Sequence, residues 1–333
     1  MSATTQRPRP IFVLSTGRSG STILTWCLGQ HPNIIPQEES NWLGPFAIDA
    51  AVGHRRGSAR GERGQLSANL IERDELLEAF GSAINQLLLS HRARFEDPQR
   101  RRVAGWNPPP FPISRSPDEP KSRWIDGTPE YSLYICALRK LFSHARFIHL
   151  VRDVKEVVRS LLNFFPDGRH RLVDNEQAAY EYWLRRATAC AEAENAYGPA
   201  IVYRLRYTDL VTQPEQAMRG LLQFLGEPYA PQCLEPLALR INSANVPARF
   251  DETEATTDQE VVQRARELSA QFQNCSQPGE ASAEVAAKLE AEFDERVEYF
   301  ATLEAKLSDA RTTIETLQTD RLLARSVSAP ETA

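Results

Sequence analysis

A loop of small and polar residues near the start of the chain has the composition of an anion-binding site. It reads TGRSGST and consists of Thr16, Gly17, Arg18, Ser19, Gly20, Ser21 and Thr22. Its glycines let the backbone turn N–H groups inward, while the hydroxyls and the arginine add further hydrogen-bond donors. Apolar residues at helical spacing follow, so the loop leads into a helix N-terminus, which favours negative charge. We therefore predict that this loop binds a phosphate or a related anion.

The loop differs from the Walker A loop of nucleoside triphosphatases. That loop needs the pattern G-x-x-x-x-G-K-[ST], whereas Gly17 and Gly20 are only three positions apart and no lysine precedes Ser21. The second clear buried strand, RFIHLV at 146–151, ends in Arg152 and not in an acidic residue that would hold magnesium. Both differences disfavour a nucleoside triphosphatase.

A second group of donors follows that strand. Arg152 ends the strand, and Asp153 is the expected N-cap of a helix from Val154 whose apolar residues recur at spacings of three and four. Ser160 lies off the apolar face of this helix, eight positions after Arg152. Because a guanidinium offers a planar fork of donors, the pair is suited to holding a phosphate. The alternative to phosphate binding is that Ser160 is an ordinary serine on the exposed side of this helix.

Two adjacent carboxylates, Glu38 and Glu39, follow a short apolar pair at 34–35 that we predict to be a strand. They therefore fall near the carboxyl edge of the sheet, where α/β sites assemble. A carboxylate there can act as a general base, and a neighbouring negative charge raises its pKa toward neutrality. The alternative to a general base is that the two glutamates are solvated or cap a helix.

The elements that carry these residues predict an α/β fold. Strands are expected at 11–14, 34–35, 123–126, 146–151 and 200–205, alternating with helices that include 67–95, 131–142, 154–165, 176–197 and 214–225. This alternation implies a P-loop-like, mostly parallel sheet flanked by helices on both faces. His149, inside a strand, is expected to be a packed core histidine.

The remaining organisation follows from composition shifts. We expect an α/β domain over 1–250, with a variable insertion at about 40–120 that includes a proline-rich segment at 97–120, then a polar linker at 251–280 and a long helix at 281–325. In that helix an apolar seam runs through Phe300, Leu303, Leu307, Ala310, Ile314 and Leu317, with Arg296 and Arg321 at its ends. A short coiled coil that forms a homodimer and a helix folded back on the domain both remain open.

Bulk composition excludes several classes of protein. The chain has 333 residues and a formal net charge of -5, which argues against a protein that coats nucleic acid. Its five cysteines are dispersed without a C-x-x-C pair, so neither a disulfide framework nor a metal site is indicated. The first residues lack the apolar core of a signal peptide, and no run approaches membrane-spanning length. We therefore expect a cytoplasmic protein without an integral membrane segment.

Taken together, these motifs resemble a known family. The loop TGRSGST followed by HP and a glutamate pair, then FIHLVRDVKEVVRS and YTDLVTQPEQAMRGLLQFLG, resembles the sulfotransferases that use 3′-phosphoadenosine 5′-phosphosulfate (PAPS), in particular their bacterial, tyrosylprotein and carbohydrate branch. The resemblance covers about residues 10–250. It implies transfer of a sulfuryl group from PAPS to an acceptor hydroxyl, with adenosine 3′,5′-bisphosphate as the second product.

The resemblance also implies a role for each motif. Residues 16–22 would hold the 5′-phosphosulfate, and Arg152 with Ser160 would hold the 3′-phosphate. Arg18 would stabilise charge on the bridging oxygen during in-line displacement at sulfur. The tyrosylprotein pattern aligns without gaps and puts the base at Glu39, with Glu38 as the alternate.

One position departs from the family pattern. Relatives often carry lysine in a D-K-[TD]-P turn, where it assists the leaving group, but this chain has Gly127 there. Either Arg18 suffices, or another cation such as Arg123 substitutes, or the activity is altered.

The leading expectation is a PAPS-dependent sulfotransferase acting on a hydroxyl of a glycan, lipid or small metabolite. A P-loop kinase-like phosphotransferase is one alternative. A non-catalytic nucleotide-binding scaffold with a helical oligomerisation tail is another, which Gly127 keeps open.

Overall fold

The strands form one parallel sheet. The computed structural model describes residues 9–91, 121–165, 169–238, 257–274 and 277–327. Within these ranges the sheet has five strands in the order β2-β3-β1-β4-β5, and every pairing is parallel. The strands are β1 Ile11–Leu14, β2 Ile34–Pro36, β3 Arg123–Asp126, β4 Arg146–Val151 and β5 Val202–Arg206. The predicted α/β class with a parallel sheet is confirmed.

Helices surround the sheet and continue into a long C-terminal helix. In chain order they are α1 Ser21–Gly29, α2 Leu43–Ser58, α3 Gln65–Ala68, α4 Arg73–Ser90, α5 Ile135–Leu141, α6 Val154–Leu162, α7 Glu176–Tyr197, α8 Tyr207–Thr212, α9 Pro214–Leu225, α10 Gln259–Asn274 and α11 Ala283–Val327. Short 3-10 helices lie at Gly61–Arg63, Pro129–Leu133 and Pro231–Ala238. None of the helices in the described ranges is both long and apolar enough to cross a membrane.

Both faces of the sheet are buried, as the unbroken apolar run of β1 requires. Phe12 and Leu14 pack in one cluster with residues of α2, α4 and α5. Ile11 and Val13 point to the opposite face and pack in a second cluster with α1 and α9. Because all five strands run in the same direction, their carboxyl ends meet at one edge, and the loops after β1, β2, β3 and β4 are neighbours there.

The histidine of β4 is a packed core residue, as expected. His149 is buried, and its Nδ1 lies 2.8 Å from a carboxylate oxygen of Glu194 on α7. Arg204 of β5 donates to the same carboxylate over 2.8 Å. These three residues link the β4–β5 side of the sheet to α7.

The expected linker at 251–280 is wrong for the described part of that segment, which contains α10. Val262, Ala265 and Phe272 are buried in a cluster with residues of α7, and the Phe272 ring meets His149 edge-on at 4.8 Å. The segment holds few large apolar residues, but their helical spacing puts them on one face, which suffices for packing. The proline-rich segment 97–120 lies outside the described residues.

Candidate active site

The loop after β1 is shaped by two residues in the left-handed backbone region. Arg18 has φ 72° and Gly20 has φ 103°. The Thr16 and Ser19 hydroxyls lie 2.6 Å apart, and the Ser19 amide donates to the Thr16 carbonyl over 3.2 Å. A β-carbon at Gly20 would lie 2.7 Å from the Tyr207 ring, so only glycine fits this turn.

The loop leads directly into α1, and the N-terminal end of this helix has no side-chain cap among the described residues. Gly20 occupies the N-cap position, and within the described residues no acidic residue lies in the first turn. The first N–H groups of a helix lack partners inside the helix and carry partial positive charge. The N-terminus of α1, which begins at Ser21, therefore suits the phosphosulfate group that the loop is predicted to bind.

The structure brings the loop and the β4–α6 motif into direct contact. Arg18 donates from Nε to the Ser160 hydroxyl over 3.1 Å, and its guanidinium also lies 4.2 Å above the Phe164 ring. Ser160 is buried, so it is not an ordinary exposed helix serine. The two donor groups recognised in the sequence thus form one continuous surface.

Arg152 lies against the same loop. Its Nη1 donates to the Arg18 carbonyl over 3.3 Å, and its guanidinium lies 4.6 Å from the centre of the Tyr207 ring. Its Nε donates to Glu156 one helical turn away, over 2.7 Å. An anion bound by Arg152 would therefore share this guanidinium with Glu156, a neighbour that the sequence motif did not reveal.

Two positive charges, Arg18 and Arg152, lie close together at the loop. The pKa of Arg18 lies below its ordinary value because of burial and then the nearby positive charge of Arg152, with Glu39 acting in the opposite direction. Two guanidinium groups held close together repel each other. A phosphate placed between them would remove this repulsion and gain charge-assisted hydrogen bonds.

The carboxylate of Glu39 lies beside this loop. It accepts a hydrogen bond from the Thr22 hydroxyl over 2.9 Å. Its pKa is raised, chiefly by desolvation, with further contributions from Glu130 and Glu38, although the Thr22 hydrogen bond and Arg18 oppose the shift. The residue keeps contact with solvent. A carboxylate with a raised pKa beside the predicted anion site is suited to accept a proton.

The turn after β3 holds the loop that carries Glu39. The Thr128 hydroxyl donates to the Asp126 carboxylate over 2.6 Å and accepts from the Ser40 amide over 2.9 Å. The Tyr131 hydroxyl donates to the Ser40 carbonyl over 2.5 Å. The pKa of Asp126 is raised to about 6, chiefly by burial and further by the charge of Glu39, although the hydrogen bonds from Thr128 oppose the shift. This buried chain of hydrogen bonds fixes the backbone next to Glu39.

The glycine that replaces the family lysine is tightly enclosed. A β-carbon at Gly127 would lie far inside van der Waals distance of the Thr25 hydroxyl on α1. Thr25 is itself buried in that helix. Packing against α1 therefore favours glycine in this turn, and a lysine would need the Thr25 side chain to turn away or α1 to shift.

Arg123 cannot take the place of that lysine, because it lies at the amino end of β3. Its Nη1 donates to the Leu225 carbonyl over 2.7 Å and to Glu227 over 2.9 Å, and its Nε donates to the Arg9 carbonyl over 2.7 Å. The predicted site lies at the opposite edge of the sheet. This candidate is therefore wrong.

Helix α7 adds residues that sequence reasoning missed. The Tyr182 hydroxyl lies 2.8 Å from the place where a β-carbon of Gly17 would stand. The Arg186 guanidinium stacks 3.6 Å from the Tyr182 ring centre and lies 3.7 Å from a carboxylate oxygen of Glu130. Their spacing of four residues marks a common helix face, but only the fold shows that this face covers the loop.

The family follows from comparison with known proteins. A model of the sulfotransferase family matches residues 10–231, which is more than half of the chain. The chain therefore belongs to the sulfotransferase family, and the resemblance recognised in its motifs is confirmed.

Individual relatives are distant. The chain is 25% identical over 223 residues to protein-tyrosine sulfotransferase 1 of Danio rerio, covering 66% of this chain and 53% of that protein. It is 30% identical over 122 residues to omega-hydroxy-beta-dihydromenaquinone-9 sulfotransferase Stf3 of Mycobacterium tuberculosis, covering 33% and 31%. The chain thus spans about half or less of the length of these relatives.

Solved structures that this chain matches include two sulfotransferase domains. One comes from the olefin synthase of Synechococcus PCC 7002, with a TM-score of 0.43, 20% identity and coverage of 90% of this chain and 98% of that domain. The other comes from the curacin biosynthetic pathway, with a TM-score of 0.43, 18% identity and coverage of 86% and 99%. The family assignment rests on the family model and not on these similarities.

Proposed function

We propose that this protein transfers the sulfuryl group of PAPS to an acceptor hydroxyl, with Glu39 as the general base. The observation that carries the proposal is the hydrogen bond from Arg18 to Ser160. It joins the anion-binding loop to the β4–α6 motif in one surface, and Glu39 borders that surface through Thr22. A donor with phosphate groups at both ends fits such a surface.

The donor is held by residues from three elements. Residues 16–22 and the N-terminus of α1 take the 5′-phosphosulfate, as helix N-termini take anions elsewhere. Arg152 and Ser160 take the 3′-phosphate. On binding, the Ser160 hydroxyl turns from Arg18 to a phosphate oxygen, and the Arg18 guanidinium turns toward the reacting end of the donor.

The reaction is a displacement at sulfur. The acceptor oxygen forms a bond to sulfur while the bond between sulfur and the bridging phosphate oxygen breaks. The acceptor proton passes to Glu39, and negative charge develops on the leaving phosphate, where Arg18 stabilises it. Thr22 keeps the carboxylate oriented toward the acceptor, and the raised pKa of Glu39 improves its strength as a base. Glu38 is the alternate base.

The proposed acceptor is a hydroxyl of a glycan, lipid or small metabolite, and the proposed compartment is the cytoplasm. Residues 1–250 form the proposed catalytic domain, in which 40–120 contribute to the acceptor side. The protein-tyrosine and menaquinone sulfotransferases among the relatives act on chemically different acceptors by their names, so the acceptor class is kept broad.

The proposal is tested by binding and turnover. We expect adenosine 3′,5′-bisphosphate to raise the melting temperature of the full chain, and ATP with magnesium to raise it less. Incubation with PAPS labelled in its sulfuryl group and a panel of hydroxyl acceptors should then transfer label. Stabilisation by ATP alone would contradict the donor assignment. Binding of the bisphosphate without transfer to any acceptor class would favour the scaffold alternative.

A further inference from the structure

The second half of α11 extends beyond the domain on which its first half packs. Phe293 and Val297 are buried in the core cluster, and Arg296 donates to the Leu133 carbonyl over 2.8 Å. From Thr302 to Asp320 every residue is exposed. The segment 302–320 is therefore an exposed continuation of a helix that is anchored at its beginning.

This exposed segment carries an apolar stripe. Leu303, Leu307, Ile314 and Leu317 are 48%, 51%, 53% and 63% exposed. With Phe300 and Ala310 they alternate at spacings of three and four, the a/d pattern that helices bury against each other in coiled coils. A stripe of large aliphatic residues in water is unfavourable, and its burial in a helix pair would remove that cost.

We propose that residues 300–317 pair antiparallel with the same segment of a second copy of this chain. The seam is symmetric about a point between Ser308 and Asp309. In an antiparallel pair Phe300 meets Leu317, Leu303 meets Ile314 and Leu307 meets Ala310 of the other copy, and each contact occurs twice. Such self-complementarity is what a two-fold interface requires, and it favours a second copy over an unrelated partner.

The sizes of the seam residues favour this direction. In a parallel pair Ala310 would face Ala310, which leaves a gap, and Phe300 would face Phe300. In the antiparallel pair each Ala310 faces the larger Leu307. Because helix interfaces pack as densely as protein interiors, the alternation of large and small residues fits the antiparallel arrangement.

The charges that border the seam favour the same direction. Glu304 and Arg311 both occupy e positions, and Lys306 occupies a g position. An antiparallel pair sets e residues of the two helices side by side, so Glu304 meets Arg311 twice. A parallel pair would set Lys306 beside Arg311 twice, which is repulsive. Glu304 also pairs with Arg56 of its own chain, and a carboxylate has oxygens enough for both partners.

The direction can be tested by charge reversal in the full chain. The Kd for self-association is measured by analytical ultracentrifugation. Arg311→Glu should raise it about tenfold, because both Glu304 contacts become repulsive. In a parallel pair the same variant would lower Kd, since Lys306 would gain an acidic partner. Glu315→Lys, a charge reversal off the seam, is the control and should leave Kd unchanged.

The seam itself is tested by disruption and crosslinking. Ile314→Glu should give a monomer with unchanged far-UV circular dichroism and unchanged binding of adenosine 3′,5′-bisphosphate. Since the described cysteines are buried, crosslinking uses a Cys275→Ser background with added Leu303→Cys or Ile314→Cys. Mixing the two variants should give an intermolecular disulfide that neither gives alone. A disulfide in Leu303→Cys alone, or a wild-type chain that stays monomeric at every concentration, would overturn the proposal.

Discussion

Arg18 and Ser160 are 142 positions apart in the chain, yet the Arg18 Nε donates to the Ser160 hydroxyl over 3.1 Å. One residue belongs to the loop after the central strand and the other to the helix that follows the neighbouring strand. Their contact means that the two proposed anion-binding motifs adjoin each other, so we expect a ligand that engages Ser160 or Arg18 to change the hydrogen bond between them.

Arg152→Ala should weaken binding of adenosine 3′,5′-bisphosphate by about ten- to a hundredfold, the range expected when hydrogen bonds to a charged group are lost. Titration calorimetry measures the affinity. Arg219→Ala is the matched control, because Arg219 is an exposed residue of α9 that pairs with Glu215. Equal affinities for the two variants would remove Arg152 from the proposed 3′-phosphate site.

Glu156→Gln should have the opposite effect and tighten binding by a few-fold. Glu156 pairs with the Arg152 Nε over 2.7 Å and would compete with a bound phosphate for that guanidinium. Because the pair is partly exposed, its effect is modest. Weaker binding in this variant would mean that Glu156 positions Arg152 and does not compete for it.

Glu39→Gln should lower kcat by about a hundred- to ten-thousandfold, the usual contribution of a general base, while affinity for adenosine 3′,5′-bisphosphate stays the same. Glu38→Gln is the neighbouring control and should remain active. If the two results are exchanged, Glu38 is the base.

The raised pKa of Glu39 also sets the sign of the pH dependence. A base must be ionised, so kcat should fall as pH drops through a pKa above the ordinary glutamate value, and the fall should be absent from the residual activity of Glu39→Gln. A profile that is flat on the acid side down to the ordinary value would contradict the shift.

Gly127→Lys should destabilise the protein by about 1–3 kcal/mol, because its β-carbon would overlap the Thr25 hydroxyl. Thr25→Ala alone removes a hydroxyl that has no hydrogen-bond partner among the described residues, and combined with Gly127→Lys it should recover part of the loss. Chemical denaturation measures all three variants. Additive effects would show that the two positions do not interact.

The buried pair on the β4 side predicts a loss of stability in alkali. Burial alone would lower the pKa of His149, but Cys190 and Glu194 outweigh it and raise the pKa to about 9, from 6.5 in the unfolded chain. The stabilisation is therefore complete below about pH 6.5 and lost as pH rises through about 9. His149→Gln should cost about 3 kcal/mol at neutral pH and flatten the pH dependence of the urea midpoint. The exposed His144 provides the control, His144→Gln, which should keep the wild-type slope.

The sequence was sufficient for the sheet and for the gathering of the motifs at one edge. The apolar runs at 11–14 and 146–151 identify buried parallel strands, and parallel strands place the residues that follow them side by side. The helix from Val154 was recognised from its spacing, and its N-cap Asp153 indeed accepts from the Lys155 amide over 2.9 Å. Local pattern and topology decide these features.

The remainder depends on three-dimensional packing. Arg123 begins a parallel strand, and α/β sites lie at the carboxyl ends of strands, so its place at the amino edge is predictable from the sequence, whereas its pairing with Glu227 is not. Tyr182 covers the loop at Gly17 only because α7 crosses it, and the path of α7 is not written in the local sequence. α10 was missed because its buried residues are few and its remaining residues are polar.

The contact between Gly127 and Thr25 also limits the order in which substitutions can accumulate in this lineage. A lysine that arises at position 127 while threonine remains at 25 overlaps the Thr25 hydroxyl, so the path through that intermediate carries a loss of stability. A chain that first acquires a smaller residue at 25 can accept the lysine afterwards. Residue 25, which lies on the helix and outside the turn, therefore determines whether the turn can change.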